Sequence, residues 1–475
     1  MRRSIVRIAG FLILLTLSIG TVNKILSFKF ADGNQIFSDF YHLEKDTVDV
    51  LVIGSSHAYV NYNNGTLWDE YGIASYDLGS SVQPMWNSYY YLKEALKTQD
   101  PELIVLEGYG LSFDIEYSDD SKIIKNTYGM KWSMDKIKAI MASSKKKDWI
   151  SFLLDYTRYH TRYASLNKGD FYPESTYLDA NNYMHYEGLM GQYLFDKANP
   201  VTFHDVTNVT GTEELQEKTE KYFRMILELA KEKNIPVAVI VTPYDIKDEA
   251  QRKFLRAEEI ADEYGAKFFN TNLKLEEIDL DPNTDFFDTA HMTASGSEKY
   301  TRYIGKYLKE NFVLSDHRGD EKYAAWDRTA EITRAFIRNG EMKNSENLSE
   351  LAERIAGEDY WIVITLDGED NNSDPELTGF LGHIGITNAD RNYIWFLENG
   401  KTAWESGIEN NEYYFKTESH DILISRNEKK NKINVDGKVI KKVNNGINVI
   451  VYDPLMDMVV DSYGIDADEG YMVVR

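Results

Sequence analysis

The chain has 475 residues, enough for two or three domains that each bury a core, and its 43% hydrophobic and 27% charged content is that of a globular protein. A formal net charge of −24 argues against a nucleic-acid ligand, because phosphate backbones are gripped by clustered Lys and Arg. The absence of cysteine excludes disulfides, thiolate catalysis and Cys-ligated zinc, and no cofactor or metal site is expected.

The N-terminus carries the first strong signal. Arg2, Arg3 and Arg7 precede the uncharged run 8–22 (IAGFLILLTLSIGTV), and Asn23 and Lys24 follow it. A basic flank before an apolar stretch is an export signal whose positive end stays in the cytoplasm. No convincing A-x-A cleavage site follows, which favours reading residues 1–25 as an uncleaved anchor, with 26–46 as a stalk, over the alternative of a cleaved signal peptide. Everything beyond would then be extracytoplasmic, on a single-pass protein of the cell membrane.

From 47 to 314, short apolar runs alternate with amphipathic ones. The stretches 48–53 (VDVLVI), 102–106 (ELIVL), 237–242 (VAVIVT) and, more weakly, 266–269 (AKFF) read as buried parallel strands. Residues 213–234 and 247–264 place their apolar side chains on one helical face. This alternation predicts a doubly wound α/β sheet, whose sites collect beyond the carboxyl ends of the strands. Residues 111–210 break the rhythm with a helix at 133–140 and an Asn/Tyr/Asp-rich loop at 172–200, read either as an insertion over the active-site edge or as a plain surface excursion. A helical linker is expected at 315–345, with helices at 323–338 and 347–355. A mainly β domain follows at 346–475, with strands at 360–366, 393–397, 421–425, 433–435 and 447–452 and hairpin signals at Asp436-Gly437 and Asn445-Gly446.

Three places carry chemistry. Gly54-Ser55-Ser56-His57 directly follows the first strand, where a serine stands exposed at a strand-to-helix turn and backbone N–H groups face a developing oxyanion. The bland alternative is Ser56 as a helix N-cap. Asp288-Thr289-Ala290-His291 precedes a helix expected at 295–311; a carboxylate three residues before an imidazole can orient it as a general base. The same spacing recurs at Asp39 and His42, ahead of the first strand. Gly79, in Tyr76-Asp77-Leu78-Gly79-Ser80-Ser81, follows another strand-like stretch and can bring its N–H to an acyl oxygen.

Together these blocks resemble the SGNH (GDSL-like) hydrolase superfamily over about residues 47–314. The resemblance implies a flavodoxin-like three-layer sandwich in which Ser56 is the nucleophile, Asp288 and His291 complete its triad, and the amides of Ser56 and Gly79 hold the oxyanion. Met292-Thr293-Ala294-Ser295-Gly296 and Val241-Thr242-Pro243-Tyr244 are similar to segments of membrane-anchored bacterial relatives, including cell-surface polysaccharide O-acetyltransferases and the D-alanyl transfer protein of teichoic acid synthesis. His57, Gln83, Tyr109 and Tyr244 are candidate substrate contacts. One block departs from the family: after 102–106 the chain reads Glu107-Gly108-Tyr109-Gly110, without the asparagine that normally donates to the oxyanion. The stretch 445–453 with 459–462, and 362–367 with 377–385, resemble ILEI/PANDER-type β domains, in reversed order; that resemblance implies glycan or protein binding.

The implied function is serine-dependent acyl transfer or ester hydrolysis on a cell-surface polysaccharide, the acyl group being acetyl and a membrane-bound acyl exporter being the expected partner. A non-catalytic glycan-binding scaffold, or D-alanyl transfer to a cell-wall polymer, are the alternatives.

Overall fold

The opening apolar run forms one helix, α1 (Arg2–Leu26), in which Ser4–Leu26 has a mean hydropathy of 2.2 and is exposed throughout its most apolar stretch. It is long and apolar enough to cross a membrane. Its two threonines return their hydroxyls to the carbonyls of Leu12 and Leu17, so neither leaves a bare donor on an apolar surface. The computed structural model describes residues 2–27, 31–171, 189–195, 197–345, 347–368, 374–387, 393–407, 410–427 and 430–475. Most of the loop expected at 172–200 lies outside these. The chain divides into two compact units, 1–333 and 334–475.

The first unit is built on a five-stranded, all-parallel sheet: β1 (Val50–Gly54), β2 (Ser75–Gly79), β3 (Leu103–Glu107), β4 (Val237–Val241) and β5 (Lys267–Asn270), in the order 2-1-3-4-5. The first four strands are buried end to end, which is why β1, β3 and β4 read as unbroken apolar runs rather than alternating ones. Successive residues of β1 nonetheless feed different cores. Leu51 and Ile53 join a cluster with Phe223, Ile226, Phe254 and Ile260, whereas Val50 and Val52 join one with Leu67, Tyr300, Ile304 and Leu308. Helices therefore cover both faces. In chain order they are α2 (Ile36–His42), α3 (Ser56–Asn61), α4 (Asn64–Tyr71), α5 (Met85–Ala95), α6 (Asp120–Thr127), α7 (Met134–Ser143), α8 (Trp149–Leu153), α9 (Asp155–Tyr159), α10 (Lys168–Phe171), α11 (Glu217–Lys233), α12 (Asp248–Tyr264), α13 (Leu275–Ile278) and α14 (Ala294–Asn311).

Three differences from the sequence reading matter. The presumed stalk is partly core: Ile36, Phe37 and Phe40 on α2 are fully buried, Phe37 against Tyr91 and Phe40 against Tyr76. The insertion is helical from 120 to 171, and its α9 and α10 pack against α1. The segment Tyr76–Gly79 is itself strand β2 rather than the loop after one.

In the second unit a six-stranded antiparallel sheet contains β6 (Trp361–Asp367), β7 (Tyr393–Glu398), β8 (Lys401–Ser406), β13 (Gly446–Asp453), β14 (Met458–Asp466) and β15 (Met472–Val474). Its partner sheet holds β9 (Asn411–Lys416), β10 (Asp421–Asn427), β11 (Lys430–Val435) and β12 (Lys438–Ile440). Val363, Phe396 and Ile450 pack towards Ile422, Ile424 and Ile433 of the smaller sheet. Ile362, Ile364 and Val449 pack on the other side with Leu351 of α16 (Leu348–Ile355) and Leu377 of α17 (Pro375–His383). α15 (Ala324–Asn344) runs across the division between the units.

Candidate active site

The strand order reverses between β2-β1 and β3, the position where doubly wound sheets open a crevice at their carboxyl edge. The residues singled out in the sequence meet there. β1 ends at Gly54, and α3 begins two residues later. Ser55, not Ser56, caps that helix: its Oγ accepts from the His57 N–H at 3.3 Å. The capping duty being taken, the Ser56 side chain is free to point elsewhere, and it stays partly exposed.

It points at His291. Ser56 Oγ lies 2.8 Å from His291 Nε2, although 235 residues separate the two. His291 Nδ1 lies 2.9 and 3.0 Å from the two oxygens of Asp288. With the Nδ1 hydrogen donated to that carboxylate, Nε2 is left with its lone pair towards the serine hydroxyl, the tautomer a general base needs.

The loop that delivers the pair is tightly determined. Asp288 Oδ1 also accepts from the N–H groups of Ala290 and His291, at 2.8 and 2.9 Å, folding the four residues into one turn. The Phe287 N–H donates to the His291 carbonyl and that of Thr293 to the Asp285 carbonyl, which closes the loop on itself. Thr293 then caps α14 by accepting from Gly296, where a Cβ would come within 2.1 Å of the Asp285 carbonyl. Burial pushes the Asp288 carboxyl up, but the His291 ring and the two amides outweigh it and hold it below its ordinary range. Asp288 is thus an anion facing the imidazole.

No family model, curated protein or solved structure matches this chain. What the site can do must come from its own geometry.

Gly79 closes the other side of the Ser55–Ser56 turn. It pairs with Gly54 in the sheet, and a Cβ there would stand 2.8 Å from the Gly54 carbonyl oxygen and 3.1 Å from that of Ser55. Only glycine lets β2 approach so closely. The four candidate substrate contacts divide by exposure. Tyr109 is half-buried, while His57, Gln83 and Tyr244 are buried, Gln83 donating to Ser88 Oγ at 3.1 Å. His57 is sandwiched in aromatic surroundings, stacked on Tyr109 at 4.2 Å and edge-on to Tyr244 at 4.9 Å. Burial, followed by the neighbouring His291, pushes its pKa well down and keeps it neutral. Tyr244 also borders a cavity of about 550 Å³ walled by Phe203, His204, Asn272 and Glu276.

Two functional neighbours escape a sequence search. Glu107 is the last residue of β3. Its Oε2 accepts from Ser55 Oγ at 3.1 Å and its Oε1 from the Tyr109 N–H at 2.9 Å, with His57 Nδ1 3.7 Å away. Complete burial pushes its pKa up to about 7, against the lowering by these donors. Asn61 at the end of α3 clasps the other loop: its Oδ1 accepts from the Met292 N–H at 2.9 Å and its Nδ2 donates to the Ala290 carbonyl at 3.2 Å. It fixes the flanks of His291 to the helix that carries Ser56. Pairings of this range leave no local spacing to detect. Among the described residues no cluster of His, Asp and Glu could hold a metal ion.

Proposed function

We propose that this chain is a membrane-anchored, extracytoplasmic serine acyltransferase or esterase of the SGNH type, acting on a cell-surface polysaccharide. The observation that carries it is the continuous hydrogen-bonded line from Ser56 Oγ through His291 to Asp288. In the acylation step His291 Nε2 takes the Ser56 proton while Oγ attacks the acyl carbonyl. The carbonyl oxygen gains the negative charge and is met by the amides of Ser56 and Gly79. The leaving oxygen departs with the proton from His291, and Asp288 stabilises the imidazolium meanwhile. A sugar hydroxyl, or water, then gives its proton to His291 and attacks the acyl-serine, restoring the enzyme. Neutral His57 suits this cycle, since a second cation beside His291 would oppose imidazolium formation. Glu107 accepts hydrogen bonds and gives none while ionised, so it serves here as a brace for the Ser55–Ser56 turn rather than as the third oxyanion donor.

The α1 helix supports the membrane placement, with Arg2, Arg3 and Arg7 retained in the cytoplasm. Such a position beside an acyl-exporting membrane partner favours transfer over hydrolysis. The second unit is assigned glycan binding on its ILEI/PANDER-like segments. A competing role, a glycan-binding scaffold without turnover, draws support from the missing oxyanion asparagine in Glu107-Gly108-Tyr109-Gly110 and from the β-rich second unit. Turnover of an activated acetyl ester by wild type and by Ser56→Ala separates the two. Loss of turnover in the variant is expected; equal turnover would remove Ser56 as nucleophile.

A further inference from the structure

We infer that residues 145–171 form a collar that seats the α/β unit on the surface of an anionic lipid bilayer, around the point where α1 emerges. The inference rests on reading α1 as a membrane span and not on the chemistry of the triad.

Four observations converge on it. First, the segment is physically continuous with the end of α1. α9, α10 and the 3₁₀ turn His160–Ser165 pack against that helix. Asn23 accepts from the Tyr156 N–H at 2.8 Å, and Arg162 donates to the carbonyls of Leu26 and Ser27 at 2.7 and 3.1 Å. The Leu26 carbonyl is the last of α1 and that of Ser27 follows directly; no helical N–H can satisfy them, so the collar supplies the missing donors. Second, the segment exposes what a soluble surface hides. Ile150, Tyr156, Tyr163 and Phe171 are each more than half exposed, and Leu154 is 40% exposed. Aromatic side chains with polar tips are at home at the headgroup level, where one end is dry and the other wet.

Third, the charge of the segment opposes that of the chain. It holds six Lys and Arg against three Asp and Glu, in a protein of net charge −24. Lys145, Lys146 and Lys147 are exposed and lead directly into α8, which packs on α9. Basic side chains beside an anionic leaflet are attracted to it, which an acidic surface elsewhere on the unit would not be. Fourth, the segment is internally braced. Arg158 pairs with Asp120 at 2.6 Å and lies over the Phe152 ring at 4.0 Å, and Arg162 pairs with Asp170 at 2.5 Å. The exposed aromatics therefore stand on a fixed platform. An interfacial platform of this kind would hold the unit at a set height above the lipid.

The chain has no cysteine, so single-cysteine variants of the full protein label at one place. Ile150→Cys, Tyr163→Cys, Leu17→Cys in α1 and Val313→Cys elsewhere on the unit would carry an environment-sensitive fluorophore. Each is reconstituted in vesicles of phosphatidylcholine and phosphatidylglycerol containing spin-labelled quencher lipids. Quenching at 17, 150 and 163 but not at 313 is expected. Quenching at 17 with 150 and 163 as unquenched as 313 would overturn the collar while leaving the span intact. No quenching at 17 would remove the span, and the collar with it. Replacing Lys145, Lys146 and Lys147 together by Gln should weaken surface affinity roughly fivefold per charge, read as lost quenching at 150 with an unchanged thermal midpoint. Unchanged quenching would overturn the charge attraction.

Discussion

Replacing Glu107 by Gln tests the least expected feature of the site, a fully buried carboxyl beneath the Ser55–Ser56 turn. The side chain keeps its shape, and its amide can still meet Ser55 Oγ and the Tyr109 N–H. What it loses is the titration. Glu107 is raised from 4.5 to about 7 in the folded chain. Between those values the folded state holds a proton that the unfolded state has released. The wild type therefore loses stability as pH rises through this window, and the loss is complete above about pH 7. The separation corresponds to about 3–4 kcal/mol, at roughly 1.4 kcal/mol per unit. Measured by urea unfolding in detergent, Glu107→Gln should match wild type near pH 4.5 and gain on it steadily towards pH 8. A stability difference that stays flat across that range would refute the argument, because it would mean Glu107 titrates as an ordinary exposed carboxyl.

Asp288→Asn should leave the fold intact and lower ester turnover by about 10²–10⁴-fold, since the imidazole loses both its orienting anion and its tautomer preference; steady-state kinetics would show it. Gly79→Ala drives a Cβ to within 2.8 Å of the Gly54 carbonyl, so the Ser55–Ser56 turn must shift, with about 1–3 kcal/mol of lost stability and reduced labelling by a serine probe. In the second unit, buried Asn448 donates to Asp367 and to the Val443 carbonyl and accepts from the Lys442 and Val443 N–H groups. Asn448→Ala strands these partners, and about 3 kcal/mol or more should be lost, seen as faster hydrogen exchange in β6 and β13.

The α/β sheet was legible because β1, β3 and β4 are buried on both faces and so spell unbroken apolar runs. β2 was not, because it carries Asp77 at its centre. That carboxyl is fully buried with its Oδ2 accepting from Asn64 at 2.8 Å, and burial drives its pKa well up. A strand that buries an acid looks like a turn in sequence. The Asp288–His291 pair was legible because its geometry is local, and Ser56 because it follows a strand. Glu107 and Asn61 act through contacts across 52 and some 230 residues, for which the sequence holds no period. In the second unit β8, β9 and β12 escaped notice because their outward faces are polar and exposed, leaving too few apolar residues to set a rhythm. The helical insertion was read as a cover for the site or a plain surface excursion. Its exposed aromatics carry no mark of what they face until α9 and α10 are seen against α1.

Which hydroxyl reacts is the most direct test of the Ser56–His291–Asp288 line. Wild type treated with a fluorophosphonate, digested and mapped by mass spectrometry should carry the adduct on Ser56, with none on Ser55, whose oxygen is held by Glu107 and the His57 N–H. The His291→Ala variant should label far more slowly. An unmodified Ser56 in folded wild type, or an adduct on another serine, would contradict it.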